Sequence, residues 1–229
     1  MGACLLLTVA AVSAASPQQE ERQTNGVVML DGVETAVHWD DGDTFFAPAN
    51  KLKARLAGYN TLESYGAVHR FGPGEQRLRE VASEATALAR SKPWVCNTQD
   101  GEGGYGRKSV DCPDLRTALL EAGLAHAFSV AGPAAAENLA AQARGIGARA
   151  GMWSEGAPKE LITSVHSLDE KPEAESTYNR VLDVATGEAS KRPHTNVHAA
   201  CEWVCAEGSC LLYVPYQQRY GERRAECLK

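Results

Sequence analysis

The 229-residue sequence has no apolar run approaching the ~20 residues needed to span a bilayer, so no membrane partner is expected. It also has no surplus of positive charge. The formal net charge is −6, which argues against binding nucleic acid through a broad basic surface. That balance still allows an enzyme with a locally positive site, particularly one using a divalent cation. No internal repeat is present. What remains is ordinary globular composition, 44% hydrophobic and 23% charged. The length suits one full domain plus an appendage, or two small domains.

The first residues, "MGACLLLTVAAVSAAS", carry no Lys or Arg. They do have a short apolar core, Ala3 to Val12, followed by small residues and a polar break. That is the pattern of a secretory signal peptide with an A-x-A-like end, cleaved after Ala14 or Ala15. The alternative is a buried first strand or helix, but the stretch is Ala-rich and abruptly bounded. Residues 1–15 are therefore expected as a signal and 16–26 as a polar linker. Of seven cysteines, removal of Cys4 leaves an even set: Cys96, Cys112, Cys201, Cys205, Cys210 and Cys227. An even set in an exported chain reads as disulfides, and places the protein outside the cell or in the periplasm.

From Val27 the pattern turns to short strands. "GVVMLDGVETAVHWDDGDTFFA" alternates and breaks at glycine, as a β-meander does. "KLKARLAGY" is a further strand, with Leu52, Ala54 and Leu56 on one face and Lys51, Lys53 and Arg55 on the other. Pro73 suits the opening of a helix whose apolar stripe is Leu78, Val81, Ala82, Ala85 and Leu88. A long-turned hairpin follows, flanked by Cys96 and Cys112, where a cross-hairpin disulfide is plausible. "PDLRTALLEAGLAHAF" predicts a helix stopped near Gly123, and "PAAAENLAAQARGIGARAGMW" a third helix. The order predicts an α+β domain, mainly a β barrel, over residues 27–153. Residues 154–176 are polar and read as a linker. Residues 177–229 read as a small disulfide-stapled module.

The chemistry concentrates between Val37 and Ser64. Alone, Asp41-Gly42-Asp43-Thr44 is an ordinary Asp-Gly turn. Two acids around a glycine also suit a hard cation such as Ca²⁺. Arg55 follows on a polar strand face, Asn60, Thr61 and Glu63 lie just beyond it, and Arg107 sits in the later hairpin. Together these groups fit phosphodiester hydrolysis. A carboxylate activates water, a cation polarises the phosphoryl oxygen, and rigid guanidinium forks meet the charge that develops.

The ordered set "DGDT", "KARLAGYNTLES", "GGYGR", "DLRTALLEAGLAHAF" and "AGMW" resembles the staphylococcal nuclease-like (thermonuclease) family over Val27 to Trp153. The resemblance implies an OB-fold, a five-stranded barrel with three helices. It implies Arg55, Glu63 and Arg107 as catalytic residues, with Glu63 taken as the general base. It implies Asp43, Asp41, the Thr61 carbonyl and position 60 around a Ca²⁺ cofactor, and Tyr105 beside the bound substrate. By the same resemblance the substrates are DNA and RNA, cut with little sequence specificity to leave 3′-phosphate ends, by a protein expected to be a monomer. Two departures stand out. Asn60 replaces a family aspartate, which removes one negative charge from the cation site, and Leu62 replaces a proline. They motivate a second reading, a non-catalytic OB-fold module that binds nucleic acid or another ligand.

In the C-terminal module, His194, His198, Cys201, Cys205 and Cys210 lie close together. Their spacing leaves two readings, disulfides including Cys227 or a zinc site of an interaction protein. The stretch "YVPYQQRYGERR" reads as a strand and a solvated end, with aromatic and basic groups that could stack on nucleic acid.

Overall fold

The computed structural model describes residues 23–72, 74–103 and 106–229. The expected signal, the linker before residue 23, Pro73 and Tyr105 lie outside the described residues. The strands are β1 Gly26–Leu30, β2 Val33–Trp39, β3 Thr44–Ala47, β4 Leu52–Leu56, β5 Tyr59–Thr61, β6 His69–Arg70, β7 Trp94–Gly103, β8 Arg107–Asp111 and β9 Ala125–Ala127. The helices are α1 Glu75–Arg90, α2 Pro113–Glu121 and α3 Ala136–Gly147. The later strands are β10 Glu160–Ser164, β11 Thr177–Asp183, β12 Ala189–His194, β13 Glu202–Ala206 and β14 Ser209–Tyr213.

The chain is α+β, built on a closed barrel in the order β1-β2-β3-β4-β8-β7. The β1–β7 and β4–β8 pairs are parallel and the other neighbours antiparallel. Six strands close the barrel where five were expected. The Asp31-Gly32 turn folds the first alternating stretch into two strands, and both join the wall. Alternation puts Val28, Leu30, Val37, Trp39, Phe45, Ala54 and Leu56 inside, as period-2 patterning requires. Trp39 and Phe45 meet edge to face at 5.1 Å between centroids. The α1 stripe Leu78, Val81, Ala82 and Ala85 is buried as expected, while Leu88 is only partly covered. The Cys96–Cys112 disulfide links β7 to the end of β8.

The stretch 154–176, expected as a linker, contains β10, which pairs with β11 in a three-stranded sheet β10-β11-β12. Leu161, Leu182, Val184 and Ala189 join the same apolar core as the barrel. A second core gathers Tyr65 and Val68, from the loop after β5, with Val181, Leu211, Leu212, Val214 and Leu228. The hairpin β13–β14 extends onto β6, with Cys210 opposite Arg70 and Leu211 opposite His69. The last residues are thus packed into the loop that follows β5. Cys201–Cys227 and Cys205–Cys210 are disulfides, so no thiol of that stretch is left for zinc. Three disulfides suit an oxidising compartment. No helix among the described residues is long and apolar enough to cross a membrane.

Candidate active site

The turn before β3 and the end of β4 build the first half of the site. Antiparallel pairing sets Thr44 opposite Arg55, so the guanidinium reaches back to the acidic turn. Asp43 is 1% exposed and all its acceptor capacity is used. Its Oδ1 accepts from Arg55 and from the Thr44 hydroxyl (2.9 Å). Its Oδ2 accepts from the Thr61 amide (2.7 Å) and the Thr61 hydroxyl (3.0 Å). Arg55 donates its other arm to the Asn60 side-chain oxygen. Asp41 caps the turn by accepting from the Asp43 amide at 2.9 Å. Only glycine fits between these acids, because a Cβ at Gly42 would lie 2.8 Å from the Thr61 methyl and 2.9 Å from the Ala85 Cβ. The buried Tyr59 hydroxyl donates to the Gly42 carbonyl at 2.8 Å and fixes the turn from below.

Glu63 completes the cluster from the loop beyond β5. Its amide donates to His69 Nε2 at 3.1 Å, which ties that loop to β6. Its carboxyl is pushed above the usual carboxylate range by burial, against the pull of Arg219, Arg55 and Arg107. All three guanidinium charges therefore act on one carboxylate. Arg107 opens β8, in the barrel wall next to β4. Burial would also raise Asp43, but the Arg55 charge and the Thr61 amide outweigh it and hold its carboxyl low. Asp41 goes the other way. Burial and the neighbouring Asp43 charge push it well above its ordinary value.

The structure thus brings together Asp41, Asp43, Arg55, Asn60, Thr61 and Glu63, with the Arg107 charge in reach. Position 105 is outside the described residues. The groups of Asp41, Asp43, Asn60 and Thr61 that could ligate an ion are all oxygens, the set a hard cation prefers. The like-charged contact of Asp41 with Asp43 is of the kind a divalent ion relieves. The residues fit such an ion in chemistry, but Arg55 competes for it, because it already bonds the Asp43 and Asn60 oxygens. Among the described residues no group of three or more His, Cys, Asp or Glu is placed to hold a metal.

Sequence reasoning did not single out Tyr59, His69 or His126, and it reached Arg219 only within the aromatic and basic stretch "YVPYQQRYGERR". Their parts depend on contacts between distant segments, and no local spacing signals them. His126 lies opposite Asn60 in the β5–β9 pair. Burial holds His126 neutral, with a pKa of about 4, and holds His69 neutral, with a pKa of about 3. Comparison with protein-family models and with curated proteins gives no match.

Proposed function

We propose that the chain is an exported, Ca²⁺-dependent nuclease of the staphylococcal nuclease-like type, with its barrel an OB-fold variant. It would hydrolyse phosphodiester bonds of DNA and RNA with low sequence specificity and leave 3′-phosphate ends. One observation carries the reading: the β3–β4 pairing and the loop after β5 gather the half-buried Asp41, the buried Asp43, Arg55 and Glu63 within reach of the Arg107 charge. Packing alone does not call for this combination.

Glu63 takes the proton of the attacking water, whose oxygen bonds to phosphorus as the bond to the 5′ oxygen breaks and that oxygen takes a proton from solvent. Arg55 and Arg107 donate hydrogen bonds to the phosphoryl oxygens as their charge rises. Asp43, Asp41, the Asn60 amide oxygen and the Thr61 carbonyl would hold the cation, and Ca²⁺ would polarise a phosphoryl oxygen. Asn60 gives that site one negative charge fewer than a third carboxylate there would. The test is digestion of single-stranded DNA by mature protein, with Ca²⁺ or with chelator.

A second reading is favoured by the double engagement of Arg55 with Asp43 and Asn60, which withholds it from a phosphate. Under it the barrel binds nucleic acid without cleaving it. Glu63→Gln and Arg107→Ala would then leave function intact. Loss of a measured hydrolytic activity in either variant removes this reading.

A further inference from the structure

The last fourteen residues return to the rim of the site. After β14 the chain makes a short turn at Tyr216–Gln218 and folds back, with the Ala225 amide donating to the Gln218 carbonyl at 2.9 Å. Two contacts clamp this return onto the loop that carries Glu63. Arg224 donates to the Tyr65 carbonyl at 2.8 Å. Leu228 fills the space beside Gly66, where a Cβ would meet it at 2.8 Å. The Cys201–Cys227 disulfide closes the return.

Arg219 is the centre of the arrangement. Its guanidinium lies 4.7 Å from the Tyr65 ring centroid and 6.0 Å from that of Tyr216. Its Nε donates to the Val214 carbonyl at 3.0 Å, and its charge acts on the Glu63 carboxyl, which places it beside the cluster. Tyr220 meets Tyr65 edge to face at 6.1 Å. Yet Tyr216 and Tyr220 remain 76% and 59% exposed. A cation held among aromatic faces, with two open rings beside it, suits a strand that offers both phosphates and unstacked bases.

We propose that this C-terminal return is a strand-binding subsite: Arg219 takes a backbone phosphate neighbouring the scissile one, and Tyr216 and Tyr220 stack on bases of a single strand. The inference rests on the reading of the cluster around Asp43 and Glu63 as a phosphodiester site. It assigns the extension a part in substrate binding, with single strands preferred because duplex bases are already stacked.

The test uses the mature chain carrying Glu63→Gln, labelled oligo(dT) and fluorescence anisotropy, alongside hydrolysis by the otherwise unaltered enzyme. Tyr216→Ala with Tyr220→Ala is expected to weaken oligo(dT) binding by about tenfold or more. Arg219→Gln is expected to weaken it and to flatten its salt dependence. Tyr216→Phe with Tyr220→Phe keeps the rings and should keep the affinity. In hydrolysis, KM for single strands should rise more than KM for duplex. Affinity within twofold of the parent in the alanine and glutamine variants, at unchanged melting temperature, overturns the subsite. If those variants also cleave like the parent, the nuclease reading stands without it. If the unaltered enzyme cleaves nothing while binding still depends on the three side chains, the subsite stands and the nuclease reading falls.

Discussion

Arg55 is shared between Asp43 and Asn60, and each partner limits what the other can do. Restoring a carboxylate with Asn60→Asp adds charge to the oxygen cluster. Ca²⁺ affinity should rise, on the order of tenfold, as titration calorimetry would show. Glu63→Gln and Arg107→Ala should each lower kcat by roughly a hundredfold or more, with the melting temperature little changed. The pH profile follows from Glu63. Burial raises its carboxyl above the ordinary value, and it must be ionised to accept a proton. Activity is thus lost as pH falls through that raised pKa, and the acid limb of kcat/KM should lie above the ordinary glutamate pKa of about 4.3. Most of these residues were legible because they share a short stretch of chain, Asp41 to Glu63. Tyr59 and His69 were not, because a buried hydroxyl under Gly42 and a ring accepting the Glu63 amide leave no trace in spacing.

Strands that read cleanly were those with alternating patterns. Leu52, Ala54 and Leu56 line one side of β4 as read, with Ala54 and Leu56 fully inside the barrel. β10 was missed because Gly156, Pro158 and Lys159 precede it and Glu160 opens it, which gives the segment a polar look. Its Leu161 and Ile162 nonetheless enter two different cores. β6 is only two residues long and gains its order from β14, a pairing between segments too distant for local pattern to reveal. This pairing gives the disulfides unequal weight. Cys201–Cys227 encloses a sequence separation of 26 and pins the return over Gly66, whereas Cys205–Cys210 spans 5 within one hairpin. Replacing Cys201 and Cys227 by Ser should cost ~3 kcal/mol in denaturant unfolding. It should also lower activity more than the same change at Cys205 and Cys210, because it loosens the loop holding Glu63.

At the scale of the whole molecule, barrel and extension share their apolar cores, so stability and site geometry are coupled. His69 and His126 tie the pH response to that coupling. Both are buried and neutral, with pKa values of about 3 and about 4, below the ordinary 6.5. Between those values the unfolded chain binds more protons than the folded one. Their stabilising contribution is full above about pH 6.5 and is lost as pH falls, at up to ~1.4 kcal/mol per pH unit for each ring. Urea unfolding at pH 7.5 and 5 should show this loss, and His126→Gln should reduce the difference. The central claim concerns chemistry at the Asp43–Glu63 cluster. Mature protein incubated with single-stranded DNA and Ca²⁺ should degrade it to 3′-phosphate products, with chelator stopping the reaction. Intact DNA after incubation with folded, Ca²⁺-supplied protein would contradict the account.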